Sequence, residues 1–367
     1  MLINSSRLDQ FQKCNRLYYW TNLFDLGGNS PGVRPQRPNN ELQTGVIVHI
    51  GAANFYRGKP IKAYREEALQ VLDFDALTWD ERNYWLDRFE WVDRLLGEYE
   101  IWAGEQDDFE VVDVEQPFFV TLGEICYSCG QPYSAADTQG LFSRCEACLS
   151  DIHRLAGMTD LLVRHNDRLK VIDHKTAKST SESYLTSWLH SLQLWGYAYG
   201  RQKATGEPVV GYAVNILRKL ETVGLPQQTT KQCPDCRNGV RKKLSCSTCA
   251  GEGRVEKENN PSDTPFVRVW EKFDGPRAEL LVRARLRTIQ DIKREEEHFE
   301  SEPDAAYPMN TTHCFTYGVC PMLKLCWHWG LDHPEKWYEP PIELLDQFDP
   351  QPDDYLTTER LLLEEMK

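Results

Sequence analysis

Twelve cysteines divide this 367-residue chain's sulfur chemistry into three sets of four, with none left over. Two sets are paired knuckles. Cys126, Cys129, Cys145 and Cys148 have C-x2-C-x15-C-x2-C spacing, and Cys233, Cys236, Cys246 and Cys249 have C-x2-C-x9-C-x2-C spacing. The third set joins the two ends: Cys14 stands alone, and Cys314, Cys320 and Cys326 follow in a C-x5-C-x5-C run. The opening MLINSSRLDQ lacks an apolar run followed by a cleavage site. No stretch approaches the roughly 18 apolar residues of a membrane helix. A cytoplasmic, reducing compartment is therefore expected, where clustered cysteines bind metal more often than they form disulfides. Disulfides, or buried thiols without metal, are the bland readings of the same residues.

The net charge of −14 does not by itself suggest a nucleic-acid binder, because a binding face is local. Basic residues do gather from Lys231 to Arg254, through Arg237, Arg241, Lys242 and Lys243 on the second knuckle. A solvated loop explains such a run equally well.

The pattern along the chain is mixed. SSRLDQFQKCNRLYYW reads as a helix capped by Ser5 or Ser6, and Leu42 to Tyr56 as another, carrying His49. Residues 61–104 are helical in pattern. FEVVDVEQPFFV alternates like a strand around Glu115. YLTSWLHSLQLWGYAYG predicts one helix, PVVGYAVNILRK a strand, and Pro276 to Phe299 a long charged helix. The cysteine knuckles interrupt this pattern as insertions, at residues 118–156 and 224–260. An acidic tail, 341–367, has the composition of partial disorder.

TDLLVRHNDRLKVIDHK alternates on both sides of Asn166-Asp167, so a hairpin centred there pairs Asp160 with Asp173. Carboxylates facing one another in such a pair repel, and one is pushed toward protonation unless a cation lies between them. Mg²⁺ and Mn²⁺ suit oxygen ligands of this kind. Lys175, two residues past Asp173, shares its face. A surface hairpin with charged residues near its open end is the alternative.

Other residues extend the constellation. Gly157 precedes Asp160 by three positions, His49 lies in GVIVH, Glu115 lies on a strand, and Gln193 and Tyr197 are spaced i, i+4 on one helix face. With these the chain resembles the RecB-like branch of the PD-(D/E)xK nuclease superfamily, in particular its iron–sulfur-containing members of AddB, CRISPR-associated and phage exonuclease type. The resemblance implies His49, Asp160 and Asp173 as Mg²⁺ or Mn²⁺ ligands and Lys175 as the catalytic lysine. It also implies Gln193 and Tyr197 as a Q-x3-Y element beside bound DNA, and Glu115 as a commonly acidic position. Thr159 stands where the family has proline, and Asp173 where it commonly has glutamate; a carboxylate is kept. The resemblance further implies that Cys14, Cys314, Cys320 and Cys326 hold a [4Fe–4S] cluster, with zinc as the competing occupant. Each knuckle has the spacing of a zinc site.

The expected fold is α/β, with a restriction-endonuclease-like mixed sheet flanked by helices, two zinc-knuckle insertions and an iron–sulfur staple joining the termini. Residues 1–340 would form the nuclease domain. The expected activity is metal-dependent hydrolysis of DNA, as an exonuclease in recombination, repair or phage DNA processing. No G-x4-G-K-[ST] loop occurs, so unwinding would fall to a helicase or recombination partner. A non-catalytic DNA- or partner-binding module is the alternative. Trp188 and Trp195 are candidates for stacking on bases, with a core role favoured for both.

Overall fold

In the computed structural model the described residues are 2–24, 32–35, 40–134, 144–221, 223, 230–232, 235, 240–241, 244–245, 254–256, 265–301, 306–315, 320–328 and 348–350. A six-stranded mixed sheet lies at the centre. Its strands are β1 (Leu2–Asn4), β2 (Glu110–Thr121), β3 (Arg154–His165), β4 (Arg168–Ala177), β5 (Val209–Arg218) and β6 (Phe266–Lys272). Strand β2 runs antiparallel along one edge of β3. The opposite edge of β3 is shared: β1 pairs parallel with Arg154 to Ala156, and β4 pairs antiparallel with Leu161 to His165. Strand β5 then joins β4 in parallel, and β6 joins β5 antiparallel.

The β3–β4 turn follows from its residues. Asn166 and Asp167 both take positive φ, 51° and 59°. That is the backbone of a type I′ turn, which asparagine and aspartate tolerate and whose twist matches the flanking strands.

Helices cover both faces. Ser5–Lys13 (α1), Asn15–Asn22 (α2), Leu192–Thr205 (α7) and Gly275–Ser301 (α8) pack on one side, in a core with Leu162, Val171, Val214 and Ile216. On the other side Asn40–Tyr56 (α3), Tyr64–Val71 (α4) and Trp79–Gln106 (α5) form a second core that reaches Leu217 and Phe266. A central strand buried almost continuously along its length, as β5 is, is what a sheet covered on both sides requires.

Three local expectations change. The first helix is capped by Asn4, whose side chain accepts the Arg7 N–H, and it breaks at Cys14, where the backbone is extended. The single helix expected after β4 is two, Glu182–Leu189 (α6) and α7, because Ser191 caps a new start by accepting the Gln193 N–H. Strands β1 and β6 were not read from the sequence; β1 has only three residues, too few for a period to show. Tail residues Phe348–Pro350 pair with Val33–Pro35, while 351–367 lie outside the described residues. No described helix is long and apolar enough to cross a membrane.

Candidate active site

The β3–β4 ladder runs from His165↔Arg168 to Leu161↔Ile172 and ends there, so Asp160 and Asp173 are the next residue on each strand, just beyond the last pair and not themselves paired. On the other edge of β3, the pairs Val114↔Leu161 and Gln116↔Thr159 bracket Glu115 opposite Asp160. Glu115 has φ 49°, in the left-handed region, at a cost of about 1–2 kcal/mol for a residue with a side chain. Three carboxylates thus occupy neighbouring positions on three adjacent strands. They lie where β4 leaves β3: between the β1 and β4 ladders, residues 157–160 have no strand partner on that edge.

The opening gives the side chains their contacts. Asp160 Oδ2 accepts the backbone N–H of His174 at 2.6 Å. The same oxygen lies 3.4 Å from His49 Nδ1, carried by α3, and 3.5 Å from His174 Nδ1. Lys175 Nζ is 2.7 Å from Asp173 Oδ2, a charge contact; that buried oxygen has no directed hydrogen bond. Arg57 Nη2 donates to Glu115 Oε2 at 2.8 Å. A cavity of about 10 Å³, the room of roughly one water, is lined by His49, Ala53, Glu115, Asp160, Leu161 and His174.

Burial and charge drive the two central carboxylates apart. Burial raises the Asp173 pKa to about 6, Lys175 opposing and Asp160 adding to the rise. Burial would raise Asp160 too, but His49 and His174 outweigh it and hold that carboxyl well below its ordinary value. For His49 burial lowers the pKa, and Asp160 more than reverses it. Lys175 is likewise opposed by burial, yet Asp173 and Asp160 hold it firmly charged. Burial lowers the pKa of His174.

Helix α7 supplies the facing wall. Gln193 Nε2 donates to Tyr197 Oη at 2.8 Å, and burial, then Asp173, raises the Tyr197 pKa. The helix sits close because of two glycines: a Cβ at Gly157 would stand 2.6 Å from the Phe118 ring, and one at Gly200 within hard overlap of it. Trp188 lays its ring 4.8 Å from Lys175 Nζ, and Trp195 donates to Tyr212 Oη at 2.8 Å inside the core.

All seven residues singled out in the sequence therefore gather at one place. His174 and Arg57 do not stand out in the sequence, and Trp188, expected in the core or stacked on bases, lies against Lys175. Strand alternation sends His174 to the face opposite Asp173 and Lys175, and only the parting of β3 from β4 lets Asp160 reach it.

The thiolate sets differ in what is described. The donor sulfurs of Cys126, Cys129, Cys145 and Cys148 all lie within 4.8 Å of one another, with Cys126–Cys148 at 3.5 Å and Cys129–Cys145 at 3.7 Å. Four thiolates on one tetrahedral ion have that spacing. Among the described residues this is the one group of three or more such donors so closely drawn, so the donors at the hairpin stand further apart. Two matching turns build the thiolate set: Gly130, after one C-x-x-C, has φ 75°, and Leu149, after the other, has φ 61°. The segment lies between the end of β2 at Thr121 and the start of β3 at Arg154.

Cys14, Cys314, Cys320 and Cys326 are free thiols brought to one neighbourhood from both ends of the chain. Cys14 Sγ accepts the Asn310 N–H at 3.3 Å, and Cys320 N donates to Cys314 O at 2.8 Å. Burial raises the pKa of Cys314, with Cys14's charge adding to it. Burial pushes Cys326 up to about 12, and Cys320 and Cys14 contribute. Cys233, Cys236, Cys246 and Cys249 lie outside the described residues, as do Arg237, Lys242 and Lys243 of the basic run.

Residues 3–326 match the family described as the PD-(D/E)XK nuclease superfamily. No curated protein matches the chain.

Proposed function

Because this chain belongs to the PD-(D/E)XK nuclease superfamily, we propose that it is a Mg²⁺- or Mn²⁺-dependent deoxyribonuclease acting as an exonuclease in DNA recombination, repair or phage DNA processing. The observation that carries this reading is the placing of Glu115, Asp160 and Asp173 at neighbouring positions of three adjacent strands, where the β3–β4 ladder ends, with Lys175 against Asp173. A catalytic ion fits these residues. Asp160 raises the pKa of buried Asp173 although Lys175 Nζ stands 2.7 Å from that carboxylate, and a cation beside the two acids relieves this repulsion.

His49, Asp160 and Asp173 would hold the ion, with Glu115 beside them. A bound divalent ion polarises the scissile phosphate and lowers the pKa of water. Lys175, kept charged by Asp173 and Asp160, orients the attacking water and offsets charge gathering on the phosphate. The Trp188 ring over its ammonium holds Lys175 in place. Gln193 and Tyr197, hydrogen-bonded to each other on α7, form the wall along which a DNA strand lies.

We assign zinc to Cys126, Cys129, Cys145 and Cys148, and by spacing alone to Cys233, Cys236, Cys246 and Cys249. A [4Fe–4S] cluster at Cys14, Cys314, Cys320 and Cys326 would tie the first helices to the chain's C-terminal region. A helicase or recombination protein would supply unwinding, since no phosphate-binding loop occurs.

The test is cleavage of end-labelled linear single- and double-stranded DNA with Mg²⁺ or Mn²⁺, beside Asp173→Ala. Metal-dependent cleavage absent from the variant is the expected result, and the ladder of products gives polarity. Folded wild-type protein that binds DNA without cutting it would be a binding module instead.

A further inference from the structure

Behind the hairpin, on the α3–α5 side of the sheet, runs a buried chain of hydrogen bonds. His174 Nε2 lies 3.0 Å from Tyr99 Oη, and Tyr99 Oη lies 2.7 Å from Tyr56 Oη. Tyr56 donates to Asp107 Oδ2 at 2.9 Å, and Arg268 donates both to Asp107 Oδ1 at 2.5 Å and to Tyr56 Oη at 3.4 Å. Asn215 Nδ2 donates to Tyr99 Oη at 2.7 Å. His174, Tyr99 and Asn215 are buried.

The proton count fixes the direction of this chain. Each tyrosine hydroxyl has a single proton to give, and an ionised carboxylate gives none. Tyr56 spends its proton on Asp107, so its oxygen accepts from Tyr99. Tyr99 has then spent its own, and its oxygen accepts from His174. Neutral His174 therefore carries its hydrogen on Nε2 and turns the lone pair of Nδ1 toward Asp160 Oδ2, 3.5 Å away. At that distance Nδ1 and the carboxylate oxygen need a positive charge between them, either a proton on Nδ1, as in the contact that helps keep Asp160 ionised, or a metal ion in its place. The cavity there is lined by His174 together with His49, Glu115 and Asp160.

We propose that His174 is a further ligand of the catalytic metal, through Nδ1, with its tautomer set by Tyr99 at the end of this hydrogen-bonded chain. The proposal rests on the nuclease reading. It gives the site two imidazoles, His49 and His174, beside its carboxylates. Nitrogen donors favour a first-row transition ion, whereas Mg²⁺ prefers oxygen. The site is thus selective for Mn²⁺ over Mg²⁺, and His174 is the residue that sets the ratio. Tyr99 is a positioning residue, since it touches His174 and not the ion.

The measurement is Mn²⁺ binding to the full chain without DNA, read from the EPR signal of free Mn²⁺, with Mg²⁺ as competitor. In His174→Leu the Mn²⁺ dissociation constant should rise about 10-fold or more, while that of Mg²⁺ changes by less than about 3-fold. Tyr99→Phe deletes one hydroxyl away from the ion and should weaken Mn²⁺ by about 10-fold, as outer-shell partners of ligating histidines do. It also decides the matter should His174→Leu not fold. A Mn²⁺-to-Mg²⁺ ratio equal to that of wild type in the folded variants, or equal weakening of both ions, overturns the proposal. Asp160→Asn separates this from the parent reading. If it abolishes binding while the His174 and Tyr99 variants behave as wild type, only His174's role falls. If wild type binds neither ion, or Asp160→Asn binds both unchanged, the metal-nuclease reading falls as well.

Discussion

Asp173 and Asp160 are chemically alike and three strands' worth of packing makes them differ. Burial raises Asp173 to about 6, whereas His49 and His174 keep Asp160 ionised. A carboxyl whose folded pKa exceeds its unfolded value of about 3.9 binds an extra proton in the folded state between those limits. Its favourable contribution is therefore complete below about pH 4 and is lost as pH rises through about 6. In metal-free protein, Asp173→Asn should match wild type at pH 4 and be more stable above pH 6, by about 3 kcal/mol. Urea unfolding in chelator at the two pH values checks this; an equal difference at both would refute it. The matching heights of these two residues were legible, because period-2 alternation about Asn166-Asp167 sets the register, but the direct pair does not form, since the ladder ends at Leu161↔Ile172. The part played by His174 was not legible, because alternation points it away and only the divergence of two strands brings it back.

At the scale of elements, the contact between α7 and the sheet decides how near Gln193 and Tyr197 come to the carboxylates. Phe118 of β2 fits under the helix only because Gly157 and Gly200 lack side chains. Gly200→Ala should destabilise the protein by about 1–3 kcal/mol, as overpacking of a core does. Phe118→Leu in the same chain should recover part of that loss, measured as the shift in unfolding midpoint. Full additivity of the two substitutions would show that the ring is not what the added methyl meets. Helices and long strands were legible from their apolar periods. The breaks at Cys14 and His190 were not, since each depends on a capping side chain, or on an extended backbone, competing with a continuous helical pattern.

For the whole molecule, the ends of the chain meet at Cys14, Cys314, Cys320 and Cys326. With a cluster bound, this junction acts as a cross-link closing almost the full length, worth about 2–4 kcal/mol by analogy with a disulfide. Cys14→Ala should release iron and lower stability by about that amount, while Cys129→Ala, in the separate thiolate set, should leave iron content unchanged. Metal analysis and thermal unfolding of the two variants, purified without oxygen, test the assignment. Zinc in place of iron in the wild type would replace the cluster with a four-thiolate ion.

What the sequence determined by itself was local and periodic: the hairpin turn, the matching heights of Asp160 and Asp173 on its two strands, the spacing of Gln193 and Tyr197, and the grouping of cysteines into fours. Each follows from a fixed repeat of strand or helix, or from ligand spacing within one loop. Tertiary structure alone decided that β1 and β4 meet the same edge of β3 and leave a gap at residues 157–160. It alone turned Asp160 into that gap, set His49 of α3 against it and Arg57 against Glu115, and ran the Tyr99 hydroxyl up to His174. These contacts join residues far apart in the chain, and no period along one strand or helix encodes where another element will pack.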